Sequence, residues 1–561
     1  MPIPETLTTA SHGDLDLRLA HGAWPADLAG DVLFSAPMIS GGSPSAIFDL
    51  GCIIRLSLSA GTHGAAPDRF AWRTRAIESP SKRIHDRAPD AFVATTVGHR
   101  SSFGPLNAAN TAPLPWGDRL FVTWDAGRPV ELHPGTLDFV AEVGSIDSWG
   151  PSMMGDTVLP TILTSAHPVT DRARGGMWTT KLDPVLEPTF AMAPSVVFWR
   201  PDRTDVSVWP IEGIAFNGST HTVSHTRDWV ILCDSGNFRA DLGEMMGGER
   251  TVTVDDDAPV WLLRKDQVLS TPPGTPVRPV CLRVAPPNGH FYARYDDADG
   301  ISMVWEGMDL LDLGLAHRAG DVDLLGRPMP PTAIGLYNMA MARSTLNEIV
   351  IDPNRGVVAD QVRHSDDWTF NLQLSAMDWS PAGQAAPTAH HVTYQGCRPG
   401  NVSERAAQLY RGRIERSQLT EETPASLATF RRGGLEVISR WEYGDVGDLP
   451  TSPTFVPRSG SAAGGDPGGH DGYVVQPVFN DGGFRVELFD AARVGAGPIA
   501  TLRAAANECV PLMLHSAWMP TTSELVDAPR LSFADDVTDA RLAGLDRPER
   551  RVVASVAEEL G

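Results

Sequence analysis

Residues 162–171 read ILTSAHPVTD: a short apolar run that ends in His167, set between an alanine and a proline. Taken alone the stretch is weak evidence, because one imidazole among sixteen is more often a satisfied core or surface group than a ligand. Its weight comes from company. His221 in NGSTHTVSHTRDWVIL, His290 in PPNGHFYARYDDADG and His515 in PLMLHSAWMP share its setting, each standing where a turn or apolar segment meets a strand-like run. Four histidines far apart in sequence can only act together if the fold brings the starts of several strands to one place.

The rest of the chain supports such a fold. Runs such as GDVLFSA, CIIRLSL, DRLFVTW, DWVILCD, ISMVW and GYVVQPVFN are short, rich in Val, Ile, Phe or Trp, and bounded by Gly, Pro, Asp or Asn. With Gly 53, Pro 46 and 42% hydrophobic residues, the composition is that of a β-rich globular protein with a real core. Helical periodicity is local: it predicts helices at 403–419 (SERAAQLYRGRIERSQL) and at the C-terminus (DRPERRVVASVAEELG). The Gly-rich stretch 457–472 reads as a mobile surface loop, since strands resume directly after it. Many short strands on an irregular beat predict a propeller or a large barrel, although no sharp internal repeat marks the blades.

Charge and cysteine usage narrow the function. A formal net charge of −23 argues against nucleic acid or an anionic membrane as a partner. No run approaches the ~18 apolar residues of a transmembrane helix, and the N-terminal stretch has neither a basic start nor an apolar run, so a cytoplasmic protein is expected. Cys52, Cys233, Cys281, Cys397 and Cys509 are scattered and unpaired in pattern, which predicts buried fillers in a reducing compartment and leaves any metal to nitrogen or oxygen ligands. The local catalytic motifs HExxH, GxSxG and the P-loop are absent.

Several segments taken in order resemble the carotenoid cleavage oxygenase family, which includes apocarotenoid and lignostilbene dioxygenases and the vertebrate retinoid isomerase. Its AHP motif is matched at His167. Its "iHdfaiTenYvV" stretch is matched at His221, with Thr226 and Trp229-Val230-Ile231 fitting the tail, and its "fHHvNayEedG" at His290, with Tyr295, Asp296 and Gly300. The C-terminal "fHG" is matched at His515. FDLGCIIRLSL (48–58), NTAPLPWGDRLFVTWDAGRPVELHPGTLDF (110–139) and PTSPTFVPR (450–458) resemble further family segments.

The resemblance implies an all-β, seven-bladed β-propeller with a helical and loop dome over the face carrying the metal site. It also implies one Fe(II) held by His167, His221, His290 and His515, and insertion of O₂ across a C=C bond to give two carbonyl products. The chain would be a single domain, 1–561, with a C-terminal extension at 521–561. The partners are then an apolar alkene and O₂, and the reading leaves room for peripheral membrane contact.

In this family three glutamates stand behind the ligating histidines and fix tautomer and ring orientation. Here they map to Asp138, Asn371 and Ser452, one shortened carboxylate and two neutral groups, so a weakened or retuned iron site, or none, is expected. Phenol-recognising stilbene cleavers resemble one another in having a Lys beside the acid of the FVTWDAG segment. Trp124 stands there instead, beside Asp125, which favours an apolar polyene or aromatic alkene over a phenol. Trp124 and Phe291 are the candidate pocket residues.

The alternatives are stilbene or phenylpropanoid cleavage, an isomerase or ester-cleaving relative on the same fold, and a metal-free propeller that binds a ligand. His225 is a marginal candidate. His390 and His391 should point to opposite faces of a strand, and His470 should be solvated. DDDA (255–258) and DDAD (296–299) lack calcium-loop spacing and read as solvated turns.

Overall fold

In the computed structural model the run WVILC forms the strand Trp229–Cys233, buried along its whole length. Trp229, Ile231 and Cys233 pack with Phe291, Met303 and Trp305 of the following sheet, while Val230 and Leu232 pack with Trp178, Val196 and Trp209 of the preceding one. Side chains alternate along a strand, so an unbroken apolar run is what a sheet wedged between two others requires. Both interfaces carry buried tryptophans, and truncating a fully buried one such as Trp305 to Ala costs about 3–5 kcal/mol.

The described residues are 13–561, apart from 39–47, 96–97, 151–155, 186–190, 236–238, 240, 242, 244–248, 309–311, 313–314, 337, 339–341, 370–372, 376–387, 414–415, 460–468, 506–507 and 521–523. Among them, five four-stranded antiparallel sheets follow one another along the chain, at 112–142, 169–210, 223–284, 288–364 and 373–442, each a simple meander. The arrangement is all-β and propeller-like.

The expectation of seven blades is corrected: among the described residues five separate four-stranded blades form, and ten further strands join in one sheet. The cause is the strand Leu15–Gly22, which pairs with Arg69–Ala76 on one side and Ala500–Arg503 on the other, so no break separates the early strands from the late ones. Within the same sheet His515–Met519 pairs with Asp31–Pro37, with Ser35 opposite His515. The two ends of the chain are thereby hydrogen-bonded together.

Helices are few. The C-terminal periodicity becomes the helix Arg547–Leu560, started by a capping box in which Asp546 and Glu549 satisfy each other's backbone N–H groups. It packs with the helix Pro80–Arg87 over Leu50, Phe103 and Leu106. The helix expected at 403–419 is shorter, Glu404–Leu409. It ends at Tyr410, whose hydroxyl donates to Asp312 at 2.7 Å and accepts from the Val254 N–H at 3.1 Å, a tertiary anchor that overrides the local periodicity. The centre of the Gly-rich loop, 460–468, lies outside the described residues.

The C-terminal extension folds back onto the sheet at 112–142. Arg530 pairs with Glu131 at 2.9 Å, and Asp536 accepts from Arg128 at 2.7 Å and from the Ile146 N–H at 2.9 Å. Among the described residues no helix is long and apolar enough to cross a membrane. Of the free cysteines Cys52, Cys233 and Cys397 are buried as expected; Cys281 is exposed, on a strand at the rim of its sheet.

Candidate metal centre

The residues around His167 have separate jobs, all local. Thr164 Oγ1 lies 2.8 Å from the carbonyl oxygens of both Trp124 and Gly127, sharing one proton between them, which pins the turn that carries Asp125. Gly127 is required there, since a Cβ would lie 2.0 Å from Asn107 Oδ1. Ser165 Oγ donates to the His221 carbonyl at 2.8 Å, and the His167 and Val223 N–H groups complete a parallel bridge between the two histidine segments.

His221 precedes the first strand of its sheet, His290 lies within the first strand of the next (Asn288–Ala293), and His515 opens the strand that closes the ten-stranded sheet. The ladders therefore deliver all four imidazoles to one point. Ring centroids lie 4.7 Å apart for His167 and His221, 4.8 Å for His167 and His290, and 4.4 Å for His167 and His515. One nitrogen from each residue lies within 4.8 Å of the others, and all four are buried. Nitrogens bound at ~2.0–2.1 Å to one ion lie roughly 3–4 Å apart, so a small inward shift would complete a coordination shell.

The electrostatics point the same way. Burial, together with the neighbouring imidazoles, holds His167, His290 and His515 well below the usual histidine range. These rings are kept neutral, as ligands must be. Nε2 of His167 and Nε2 of His290 are buried and accept or donate no hydrogen bond within the protein. Such orphaned atoms are costly unless something else engages them, and neutral imidazole nitrogens suit Fe, Zn, Cu or Ni. The donor set fits a transition metal.

Two of the rings are held by carboxylates. His221 Nδ1 lies 2.9 Å and 3.0 Å from the oxygens of Asp125, and His290 Nδ1 lies 3.0 Å from Glu306 Oε2. A carboxylate accepts, so both Nδ1 atoms carry the proton and both Nε2 lone pairs are left for a metal. Among the described residues no carboxylate stands within ion-pair distance of His167 or His515.

These supports are not the ones expected. Asp138 is exposed at a turn of its sheet, its carbonyl accepting from His133, too far out in the blade to serve a central ring. Asn371 lies outside the described residues. Ser452 is buried near His515 but bonds to Ser516 Oγ at 3.1 Å, steadying the strand rather than the ring. Asp125 was legible as the acid of the TWDAG segment. Glu306 was legible as the one acid inside the buried run ISMVWEGM, a position that needs a partner.

Phe291 is corrected as a pocket residue, because strand alternation turns it away from His290 into the core, 5.7 Å from Trp305. Trp124 is buried beside Asp125. His225 does not join the centre; its Nδ1 is 2.7 Å from the buried Lys265, in a cluster with Asp171. His390 and His391 point opposite ways as expected, toward Glu306 and toward Thr429 respectively. His470 is half-buried rather than solvated. The acidic runs are largely exposed, as expected, with ion pairs from Asp255 to Arg239, Asp257 to Arg283 and Asp297 to Arg227; Asp297 also accepts a hydrogen bond from Thr226 Oγ1.

Comparison with known proteins agrees with this geometry. The retinal pigment epithelial membrane protein family (RPE65) matches residues 6–520. Carotenoid cleavage dioxygenase 7 from rice, Oryza sativa subsp. japonica, is 29% identical over 134 residues, 22% of this chain and 21% of that protein. The chain thus spans about a fifth of the length of the curated relatives it matches. Among solved structures, a variant of Synechocystis apocarotenoid oxygenase superposes with a TM-score of 0.60 at 15% identity, over 92% of this chain and 98% of that one. Pseudomonas brassicacearum lignostilbene dioxygenase gives 0.60 at 16% identity, over 93% and 100%. With the family matched over nearly its whole length, the chain belongs to the retinal pigment epithelial membrane protein family, that of the carotenoid oxygenases.

Proposed function

We propose that His167, His221, His290 and His515 hold one Fe(II), and that the protein cleaves a C=C bond of an apocarotenoid or related conjugated or aromatic alkene. The observation that carries this reading is the pair of buried, unpartnered Nε2 atoms on His167 and His290 within a converging four-imidazole set. When bound, iron supplies the redox chemistry with O₂ that amino-acid side chains lack. The balance needs no other reactant: one alkene and one O₂ give two carbonyl products.

The protein's own part is to hold and exclude. Asp125 and Glu306 keep His221 and His290 in the Nδ1–H tautomer, and neutral ligands leave the site without a carboxylate in the first coordination layer. No proton needs to be moved, which agrees with the absence of an acid–base pair in the sequence motifs. Trp124, buried next to Asp125 in sequence, is an aromatic residue where a cation would suit a phenolate, which favours an apolar alkene. The chain acts as one unit with its C-terminal extension, because Arg530 and Asp536 are ion-paired into the sheet at 112–142. The scattered free cysteines fit a reducing cytoplasm.

The test is aerobic incubation of iron-loaded protein with a panel of apocarotenals and hydroxystilbenes, read by product mass. The expected result is a pair of carbonyl fragments that together carry both atoms of ¹⁸O₂, from an apocarotenal in preference to a hydroxystilbene. Unchanged substrate throughout, with iron bound, would refute the cleavage reaction.

A further inference from the structure

We propose that His390 is a positioning residue for this centre: from the neighbouring sheet it fixes Glu306, and through Glu306 the ring of His290. The inference rests on the metal reading above. Glu306 is fully buried, on the strand Ile301–Met308. Its Oε2 is taken by His290 Nδ1 at 3.0 Å, while its Oε1 accepts no hydrogen bond and faces Nε2 of His390 at 3.7 Å. A carboxylate with no water around it needs a compensating group on each side, or it will turn or take up a proton. His390 is the group placed to act on the far oxygen.

The placement is specific. His390 lies on the strand Ala389–Tyr394 of the next sheet, and strand alternation sends only one of the paired histidines inward. His391 faces the other way, held by Thr429 Oγ1 at 2.9 Å and the Gly469 carbonyl at 2.8 Å and stacked on Phe455. The His390 ring also lies 5.9 Å from that of Tyr292, two residues beyond His290. The backbone at Glu306 is held in a ladder opposite Leu346, and Gly307 beside it is closely packed, a Cβ there lying 2.3 Å from Thr345 Oγ1. Orientation of the carboxylate is therefore left to the groups on its two oxygens, one of which is His390.

The experiment measures cobalt(II) binding to the full-length protein, with calorimetry for affinity and visible absorption for ligand geometry. H390F keeps a planar ring but offers no N–H; H390Q restores a donor. We expect H390F to bind cobalt about tenfold or more weakly with altered visible bands, and H390Q to recover most of the loss. In an E306Q background H390F should add little, since its effect runs through that carboxylate. If H390F fails to fold, H390N, whose shorter side chain falls short of Glu306, must show the same loss. Wild-type affinity and spectrum in H390F, or losses that simply add in the double variant, would overturn the role of His390 alone. A wild-type protein that binds no cobalt would overturn the metal reading and this one with it.

Discussion

The two carboxylates that hold imidazoles at the centre do so in different surroundings. Asp125 sits on a turn, its side chain 32% exposed, and the turn is braced by Thr164 and by Arg128, which the C-terminal segment grips through Asp536. Glu306 sits in mid-strand at 0% exposure, braced from inside by a histidine of the next sheet. Water can screen and rearrange around Asp125, so its interaction with His221 is dilute and replaceable. Burial pushes the Glu306 carboxyl up, with His390 opposing the shift, so its bond to His290 forms where screening is weakest. One support is adjustable and held by the chain's end; the other is built into the core.

That contrast can be broken at several points. The largest effect should come from D536A, which strips a buried partner from Arg128 and an acceptor from the Ile146 N–H. A loss of about 3–5 kcal/mol is expected by denaturant unfolding, with the Asp125 side loosened first in hydrogen exchange. Unchanged stability would show that the C-terminal segment is not a brace.

Acid should act on the other side. Burial pushes His391, on the strand that backs Glu306, down to about 4. A histidine with a lowered folded value contributes stability that is complete above its unfolded pKa of ~6.5 and is lost as pH falls toward 4. The full loss is roughly 3 kcal/mol and should be absent in H391F, compared by melting at stepped pH.

At the centre itself, E306Q keeps the shape but loses the charge that His290 donates to, and metal affinity should fall about 10- to 100-fold by calorimetry. D125N should cost less, under about tenfold, because solvent can stand in for the lost oxygen. Equal losses for the two variants would remove the distinction between them.

Much of this was legible in the sequence. TSAHP, HTVSH, NGHFY and MLHSA each stand where a strand begins, and the apolar runs between them are the faces of stacked sheets, so the four histidines and the β architecture could be read together. Blade count could not, because the fusion of early and late strands depends on Leu15–Gly22 pairing on both edges, a contact between residues nearly 500 apart that no local pattern encodes. The supporting acids were misread for a related reason. Asp138 matched a motif position but ends on an outer turn, whereas Glu306 reaches His290 from an adjacent strand, a cross-strand relation that spacing along the chain does not reveal. Phe291 failed by simple alternation: the neighbour of an inward histidine on a strand faces the core.

The most direct test of the account is the iron content of protein reconstituted with Fe(II) without oxygen and freed of excess metal, for the wild type and for H290A. About one iron per chain is expected in the wild type and little in H290A, with both proteins folded by circular dichroism. Iron-free wild-type protein, or H290A that keeps its iron, would contradict it.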